Sequence, residues 1–453
     1  MAERHAFLQR LEQVARDRPL HVAVIAEGTS ITYEQLWRDA MSVAGELQVQ
    51  GVRDGGRIVM SGSRGVRDFV QLLGIWLAGA AYVPLNPKFP DRRNREIASA
   101  AQEGDAMPQL AYLLFTSGTT GAPKGVPITF DNLLAYLSNM QAHYPLAPQD
   151  RIGQLADLSF DASVHEIAWC WMVGGTLCVV PSSHALMWPR YARELRMTAM
   201  LVVPSSVVLA ARAGLLGADA LPDARLVFLG AEALTRDVAQ TMHSAAPNAS
   251  LVNLWGPTEA TVAFTHFAID TAQPLPELIP IGRAFANQKL QLWDVDDEGR
   301  GELVQSGSQV ASGYWNAPEL TAERFVEHEG ERWFRTGDLA RWDERDGFCF
   351  AGRIDRQVKL RGWRIELLEC ETAIRAASGC DQVAVIVDAD ELVAFLAGKP
   401  VDIDALKTRL RATLAHYMVP SRFDLLDALP LGASGKTDYA ALTQLCRACR
   451  PRS

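Results

Sequence analysis

The chain has 453 residues, of which 48% are hydrophobic, and a formal net charge of −9 at pH 7. This composition is typical of a globular protein with room for one large and one smaller domain, and the charge gives no reason to expect nucleic acid or an anionic membrane as a partner. The seven cysteines are scattered, which argues against a disulfide framework, and the lone C-x-x-C at Cys446 and Cys449 is weak evidence for zinc. The scattered, odd-numbered cysteines favour a reducing cytoplasm, and no apolar run has the length of a signal sequence or a membrane span.

Short apolar runs alternate with helical patterns through about residue 270, as in residues 57–60, 199–203 and 225–229. This alternation predicts a layered α/β structure with largely parallel sheets. From about residue 280 to 350 the pattern changes to short strands with glycine turns, which predicts a small β-rich subdomain. We therefore predict a large N-terminal α/β domain, residues 1–354, made of layered α/β subdomains and this β-rich subdomain.

The remainder of the chain, residues 355–453, predicts a separate small α+β domain. Its pattern is a short strand, a helix from about residue 366 to 377, an apolar strand at 383–387 and a second helix near 403–414. No internal repeat or low-complexity linker interrupts the chain.

An apolar strand runs directly into a loop rich in hydroxyl groups and glycine at residues 113–126, with the sequence LLFTSGTTGAPKGV. Its glycines let backbone N–H groups approach an anion, its three threonines and one serine add hydroxyl donors, and Lys124 supplies positive charge. The loop is not a Walker A loop, because no Ser or Thr follows the lysine and the glycines fall elsewhere. It therefore predicts a phosphate site of another kind.

This loop resembles the phosphate loop of the adenylate-forming superfamily, which includes acyl-CoA synthetases, luciferases and the adenylation domains of nonribosomal peptide synthetases. Further segments resemble that superfamily in the same order, so the resemblance covers nearly the whole chain: residues 76–87, 253–259, 334–338, 352–366 and 431–438. The resemblance implies that the cofactors are ATP and Mg²⁺, and that the C-terminal domain is a mobile lid with Asp355 as its hinge.

By this resemblance Trp255 stacks on adenine, Asn253 hydrogen-bonds near the adenine amino group, and Arg353 contacts the nucleotide. Asp338 would accept hydrogen bonds from both ribose hydroxyls, which suits an ionised carboxylate because it only accepts. Glu259 would hold Mg²⁺, since a carboxylate beside a triphosphate is repelled unless a hard cation lies between them. Taken alone, Trp255 would more often be a core residue and Glu259 part of a solvated turn, but their order along the chain favours the functional interpretation.

The resemblance implies a catalytic set and a nucleotide-binding set. The catalytic set is Lys436, Glu259, Thr120 and Lys124. The nucleotide-binding set is Thr116, Ser117, Gly118, Thr119, Thr120, Gly121, Lys124, Gly230, Ala231, Glu232, Asn253, Trp255, Gly256, Thr258, Asp338 and Arg353.

The segment from Ser159 to Ile167 decides the branch of the superfamily. Asp161 and His165 are four residues apart and so share one face of a helix, with Asp161 in its first turn. In the amino-acid-activating branch an aspartate at this position pairs with the α-ammonium of the substrate. A buried ammonium needs such a counter-charge, whereas an acyl substrate would leave the carboxylate stranded. The structural alternative is that Asp161 only complements the N-terminus of its helix.

The resemblance also implies the residues that surround the substrate: Asp161, Ala162, His165, Ser206, Phe228, Gly230, Leu254, Val262 and Ala263. Gly230 is expected to leave room, Leu254 and Val262 to form walls, and His165 and Ser206 to meet a polar end group. This set predicts a substrate amino acid with a mid-sized side chain, which can be polar. In the alternative interpretation, His165 is a wall residue satisfied by its own helix.

Two segments depart from the superfamily pattern. Between Pro90 and Leu110 only a short, charged, alanine-rich stretch is present, where the family usually carries another helix and strand, so a reduced sheet is expected. Leu368 stands where a glycine is usual, which is expected to alter packing below the hinge.

The sequence therefore predicts an enzyme that joins an amino-acid carboxylate to the α-phosphate of ATP and releases pyrophosphate. The aminoacyl group would then pass to the phosphopantetheine thiol of a separate carrier protein, because the chain ends seventeen residues after Lys436. One alternative is an acyl-CoA synthetase or amide ligase acting on an aryl or fatty acid. Another is an inactive nucleotide-binding partner protein, against which the intact Lys124, Glu259, Asp338 and Lys436 argue.

Overall fold

The computed structural model describes residues 2–117, 123–430 and 437–448. Apolar runs in its first part form strands, and the amphipathic stretches between them form helices. In chain order these elements are α1 (Ala2–Asp17), β1 (Val22–Ala26), β2 (Thr29–Thr32), α2 (Tyr33–Val49), β3 (Arg57–Ser61), α3 (Val66–Leu77), β4 (Ala81–Leu85), α4 (Asp91–Gln102), β5 (Leu110–Thr116), β6 (Lys124–Thr129), α5 (Phe130–His143), β7 (Arg151–Gln154), α6 (Asp161–Val173), β8 (Thr176–Val179), α7 (Trp188–Glu194), β9 (Ala199–Val202), α8 (Pro204–Arg212), β10 (Leu226–Gly230), α9 (Arg236–Ala245), β11 (Ser250–Trp255), β12 (Thr265–Ile269) and β13 (Arg283–Ala284).

Two sheets organise this part. The larger is nine-stranded in the order β13-β12-β11-β10-β9-β7-β8-β1-β2, and its strands from β11 to β1 run parallel. The smaller is four-stranded in the order β3-β4-β5-β6. Helices that connect parallel strands cover both faces of the sheet. This explains the nearly continuous apolar sequences of β9 and β10. The carboxyl ends of β10 and β11 thereby lie side by side.

Side chains fix where the helices next to the site begin and end. Thr129 accepts a hydrogen bond from the backbone of Asn132, whose own side chain accepts one from the backbone of Thr129, so a capping box starts α5. Gly174 adopts a φ of 79° and ends α6 in the left-handed conformation that glycine tolerates best. These caps set the register of the two helices that flank the candidate pocket.

A β-rich part follows, as the glycine turns predict. Its elements are β14 (Gln288–Trp293), β15 (Arg300–Gly307), α10 (Pro318–Arg324), β16 (Phe325–His328), β17 (Glu331–Asp343) and β18 (Gly347–Arg353). The strands form one five-stranded antiparallel sheet.

The tail consists of two small sheets and their helices. Its elements are β19 (Gln357–Leu360), β20 (Trp363–Glu366), α11 (Leu367–Ser378), β21 (Gln382–Asp388), β22 (Glu391–Ala397), α12 (Ile403–Arg411), β23 (Arg422–Leu426) and α13 (Tyr439–Ala448). β19 pairs with β20, while β21, β22 and β23 form a three-stranded sheet. The helix expected to run to about residue 414 ends at Arg411, and the prediction lacked β20, β22, β23 and α13.

The chain divides into two compact units. The first consists of Met1–Asn86, Ala100–Phe115 and Gly125–Ile354, and the second of Pro87–Ser99, Thr116–Lys124 and Asp355–Ser453. The predicted fold class is confirmed, with a large mixed α/β N-terminal part and a small α+β C-terminal part. The second unit also takes in two short segments that the sequence-based boundary assigned to the first domain.

Each unit has a hydrophobic core of its own. In the first unit, Phe7, Trp76, Phe130 and Trp171 pack ring against ring in a cluster that continues to β10 and β11. In the second, apolar residues of β21 and β22 pack against α13. In the part of the chain that the structure describes, no helix combines the length and apolarity needed to cross a membrane.

Candidate active site

The helix α6 carries the two residues on which the choice of branch rests. Phe160 is its extended N-cap, Asp161 is its first residue, and His165 follows one turn later. Asp161 and Ala162 are half-buried, while every residue from Ser163 to Cys170 is buried. Burial raises the pKa of Tyr136 well above its usual range, and the negative charge of Asp161 is the second cause. The Asp161 charge thus reaches into the protein interior, as expected for a carboxylate that attracts a cation.

His165 is neutral and held by a neighbouring helix. Burial lowers its pKa to about 3, and its Nδ1 lies 2.6 Å from the hydroxyl of Tyr136 on α5. The alternative that its own helix satisfies this histidine is therefore wrong, because the partner lies on α5. Its ring also packs edge to face against Trp169 and Phe228, with centroid distances of 5.1 and 5.3 Å.

Most of the predicted substrate-binding residues lie in one hydrophobic cluster. Phe228, Leu254, Val262 and Ala263 belong to it, and Ala162 packs against it. Ser206 lies half-buried on α8. Leu201, which the sequence analysis did not select, pairs with Phe228 in the parallel register of β9 and β10 and belongs to the same cluster.

Gly230 serves strand packing and does not leave an open space. A Cβ at Gly230 would lie 2.9 Å from the backbone oxygen of Leu254 and 3.5 Å from its Cβ. Leu254 therefore fills the place that a side chain at Gly230 would take. The next residue, Ala231, has a φ of 69°, and the carboxylate of Glu232 accepts a hydrogen bond from the backbone N–H of Ser205 at 2.8 Å.

The loop after β11 carries a buried carboxylate and strained backbone. Glu259 is fully buried and accepts a 2.7 Å hydrogen bond from the Tyr314 hydroxyl. Thr261 and Val262 have φ values of 57° and 68°, which a β-branched residue rarely adopts. The Thr261 hydroxyl donates to the backbone oxygen of Gln309 at 2.7 Å, which braces the loop. Strain held by such contacts is typical of functional sites.

Two further predicted residues fix the start of this loop. A Cβ at Gly256 would come within 2.7 Å of the backbone at Ala263 and Phe264, so only glycine permits this approach. Thr258 is half-buried and begins the short 3-10 turn that contains Glu259.

The predicted nucleotide residues of the first unit are linked to one another. The Nε1 of Trp255 donates to Asp338 at 3.0 Å, and the guanidinium of Arg353 makes an ion pair with the same carboxylate. The amide nitrogen of Asn253 donates to the backbone oxygen of Pro280 at 2.8 Å. Its amide oxygen accepts no hydrogen bond from any described residue, so it is available to a donor such as an amino group.

The second unit holds the described ends of the glycine-rich loop. The hydroxyl of Ser117 donates to the backbone oxygen of Arg364 at 2.8 Å, and Lys124 begins β6. The Oγ1 of Thr116 is buried and has no hydrogen-bond partner within the described segments. Asp355 accepts a hydrogen bond from the backbone N–H of Gln357 at 3.2 Å. The remaining predicted residues lie outside the described residues: Gly118, Thr119, Thr120, Gly121 and Lys436.

Comparison with known families decides the identity. The sequence matches the family described as AMP-binding enzyme over residues 11–104 and 100–315, and the AMP-binding enzyme C-terminal domain over residues 369–436. The chain belongs to the AMP-binding enzyme family. The two matched stretches of this AMP-binding enzyme overlap at residues 100–104. These residues lie in the short segment between Pro90 and Leu110 that departs from the superfamily pattern.

The sequences similar to this AMP-binding enzyme include two much longer synthases. It is 34% identical over 98% of its length to surfactin synthase subunit 2 of Bacillus subtilis, and 32% identical over 97% to phenyloxazoline synthase MbtB of Mycobacterium tuberculosis. The chain spans only 14% and 34% of these proteins. The first alignment extends over 499 positions, more than the 453 residues of this chain, so that relative has residues that this chain lacks.

Two solved structures resemble the fold over nearly the whole chain. The Vibrio cholerae adenylation domain AlmE, in complex with glycyl-adenosine-5'-phosphate, has a TM-score of 0.89 and 27% identity, with 98% of each chain covered. PA1221, an NRPS protein containing adenylation and PCP domains bound to a vinylsulfonamide inhibitor, has a TM-score of 0.83 and 26% identity over 96% of this chain and 83% of its own.

The described residues of this AMP-binding enzyme fit ATP and Mg²⁺. The orphaned buried hydroxyl of Thr116 suits a phosphate oxygen, and the amide oxygen of Asn253 suits the adenine amino group. Among the described residues no three His, Cys, Asp or Glu side chains cluster to hold a metal ion.

The sequence did not predict the tyrosines that contact His165 and Phe228. Tyr136 bonds to His165 from 29 positions away, and Tyr144 packs its ring against Phe228 at 5.4 Å. No spacing rule connects such distant residues. The only available signal was the amphipathic pattern of α5, which places Tyr136 on its buried face.

Proposed function

We propose that this chain activates an amino acid as its aminoacyl adenylate, with ATP as co-substrate and pyrophosphate as product. The observation that carries the proposal is Asp161, a half-buried carboxylate at the start of α6, beside the cluster that contains Phe228 and Leu254. A carboxylate in such surroundings is stabilised by an ammonium group and disfavours an uncharged acyl chain. The related AlmE structure, which contains glycyl-adenosine-5'-phosphate, supports the same branch.

The chemistry assigned to the nucleotide residues follows from their charges. Asn253 and Trp255 would hold adenine, and Asp338 with Arg353 would hold the ribose. Mg²⁺ bound at Glu259 would offset the negative charge of the departing pyrophosphate. The loop from Thr116 to Lys124, including Thr120, would donate hydrogen bonds to the same phosphates, and Lys436 would stabilise charge at the α-phosphate and the carboxylate.

In the second half-reaction the aminoacyl group would pass to the phosphopantetheine thiol of a carrier protein. The thiolate attacks the acyl carbon, a thioester forms, and the bond to AMP breaks. Support comes from PA1221, which contains adenylation and PCP domains in one protein. We propose that the second unit acts as a lid in this step, with Asp355 as hinge.

Exchange of labelled pyrophosphate into ATP, measured over a panel of amino acids and aryl and fatty acids, tests the proposal. We expect exchange with one amino acid or a small group, and none with the acids that lack an ammonium. Glu259→Gln is the negative control, because it keeps the shape of the side chain and removes the charge that would hold Mg²⁺. Exchange driven by an aryl or fatty acid would identify an acyl-CoA synthetase or amide ligase, and no exchange with any acid would indicate an inactive partner protein.

The acceptor is tested separately. Purified carrier proteins bearing phosphopantetheine are incubated with the enzyme, ATP and the active amino acid, and their intact masses are measured. We expect one carrier to gain the mass of the aminoacyl group. Efficient acylation of free coenzyme A, with no carrier modified, would contradict the proposed acceptor.

A further inference from the structure

Two rings meet across the predicted substrate pocket. His165 projects from α6 and Phe228 from β10, and their rings are 5.3 Å apart at an interplanar angle of 85°. At this edge-to-face separation aromatic rings are in van der Waals contact, so no substrate atom fits between them. Trp169 packs against both rings, at 5.1 Å from His165 and 5.8 Å from Phe228.

Both rings are held in place by tyrosines. Tyr136 is fully buried, and burial keeps its phenol protonated by raising its pKa. Its hydroxyl is hydrogen-bonded to Nδ1 of His165 over 2.6 Å and has no other hydrogen-bond partner among the described residues. Tyr144 packs edge to face against Phe228 at 5.4 Å. The contact between His165 and Phe228 is therefore braced from both sides.

Accessibility falls abruptly along α6 toward this pair. Asp161 and Ala162 are half-buried, whereas His165 is 2% exposed and Phe228 only 1%. One helical turn, about 5.4 Å, separates Asp161 from His165 along the axis. The space at Gly230 is already filled by Leu254. The contact between His165 and Phe228 therefore limits how far a substrate side chain that starts beside Asp161 extends along α6.

We propose that the contact between His165 and Phe228 closes the side-chain pocket and restricts the substrate to glycine, alanine or serine. Tyr136 is a positioning residue that holds His165 in this contact. The inference rests on the proposed function, and it gives a smaller side chain than the mid-sized one that the sequence predicts. An acidic side chain is also disfavoured, because the buried His165 carries no positive charge.

Pyrophosphate exchange with the unmodified enzyme is the first test. We expect kcat/KM for the best of glycine, alanine and serine to exceed that for leucine, phenylalanine or glutamate by roughly a hundredfold or more, since a rigid pocket cannot admit several extra heavy atoms. A best substrate among the large or acidic amino acids would overturn the inference while leaving the proposed function intact. Absence of exchange with every amino acid would instead contradict the proposed function.

Two variants test the residues themselves. Phe228→Ala should raise kcat/KM for leucine at least tenfold relative to the small substrates, because it opens the closed end. Tyr136→Phe keeps the ring and removes the hydrogen bond, so KM for leucine should fall relative to that for the small substrates. Tyr33→Phe is the matched control, because its buried hydroxyl donates to the backbone oxygen of Gly175 at 2.7 Å, and its substrate profile should be unchanged. If a folded Phe228→Ala variant shows no increase in kcat/KM for leucine, the contact between His165 and Phe228 does not close the pocket. If a variant does not fold, the substrate profile of the unmodified enzyme tests the inference.

Discussion

Asp161 and His165 lie one helical turn apart on α6, yet Asp161 carries a negative charge and His165 is neutral. Asp161 is half-buried. Burial raises the pKa of the Tyr136 hydroxyl, and the negative charge of Asp161 raises it further. His165 is wholly buried, and its pKa falls to about 3, so it stays neutral. The first residue attracts a cation, and the second adds no charge to the predicted pocket. A substrate that bears one ammonium group and a small neutral side chain satisfies both.

The role of Asp161 is tested by changing it to alanine. If it neutralises the ammonium of the substrate, Asp161→Ala should lose at least ~2 kcal/mol of transition-state stabilisation in kcat/KM for the amino acid, the low end for breaking a buried charge pair. The desamino analogue of the same substrate should be affected much less. Equal losses for both substrates would instead assign Asp161 to the N-terminus of α6 as a structural residue.

The buried neutral state of His165 predicts a dependence of stability on pH. The ring titrates at 6.5 when exposed and at about 3 in the fold, so between these values only the unfolded chain binds the proton. The stabilisation is complete above about pH 6.5 and is lost as the pH falls, which amounts to about 2 kcal/mol at pH 5.

Urea unfolding at pH 7.5 and pH 5.0 measures this effect. The unmodified protein should lose about 2 kcal/mol more between the two pH values than His165→Gln does. His184→Gln, at an exposed position, serves as the control and should behave like the unmodified protein. An identical pH dependence in the unmodified and His165→Gln proteins would show that the ring is not buried in its neutral form.

At the scale of elements, α4 contributes a buried ion pair to the second unit. Arg93 on α4 contacts Glu369 on α11 at 2.7 Å, and the side chains are only 4% and 3% exposed. Removing one member of a buried pair leaves the other charge desolvated, so Arg93→Met should lower the free energy of unfolding by about 3–5 kcal/mol. Arg92→Met is the matched control on the same helix, because its pair with Glu96 is exposed and should contribute within about 0.5 kcal/mol.

Urea unfolding of the two variants and of Arg93→Met with Glu369→Leu measures the contribution. The double variant should recover most of the loss, since it removes both charges from the interior. A loss of equal size in Arg92→Met and Arg93→Met would mean that the effect belongs to the helix and not to the buried pair.

The elements differ in how far the sequence predicts them. Long apolar runs such as β9 and β10 are predicted because parallel strands covered on both faces need them. β23 was missed because Arg422 and Asp424 interrupt its short apolar sequence and its pairing with β22 is set by tertiary contacts. Leu201 was not predicted because a sequence shows residue types but not the register that places Leu201 beside Phe228 on β9 and β10. Strain at Val262 likewise has no sequence signal.

At the scale of the whole molecule, the proposed reaction draws on both matched parts of the sequence, because Lys124 and Glu259 fall in the AMP-binding enzyme match and Lys436 in the C-terminal domain match. The match to the C-terminal family domain ends at residue 436. Adenylate formation and transfer to the thiol make different demands on the enzyme. If the lid withdraws Lys436 after the adenylate forms, a substitution of Lys436 slows the first of these half-reactions and spares the second.

Lys436→Ala should slow formation of the adenylate by roughly a hundredfold or more, as expected for loss of one group that stabilises charge in the transition state. Transfer of the aminoacyl group from a supplied adenylate to a carrier protein should stay nearly unchanged, because in the proposed scheme the lid has withdrawn Lys436 before the carbon–oxygen bond to AMP breaks. Single-turnover measurement of each half-reaction tests this, with Lys399→Ala, an exposed lysine of the same unit, as the control. A Lys436→Ala enzyme that is equally slow in both half-reactions would require Lys436 to remain in place throughout, and the proposed alternation of the lid would then be wrong.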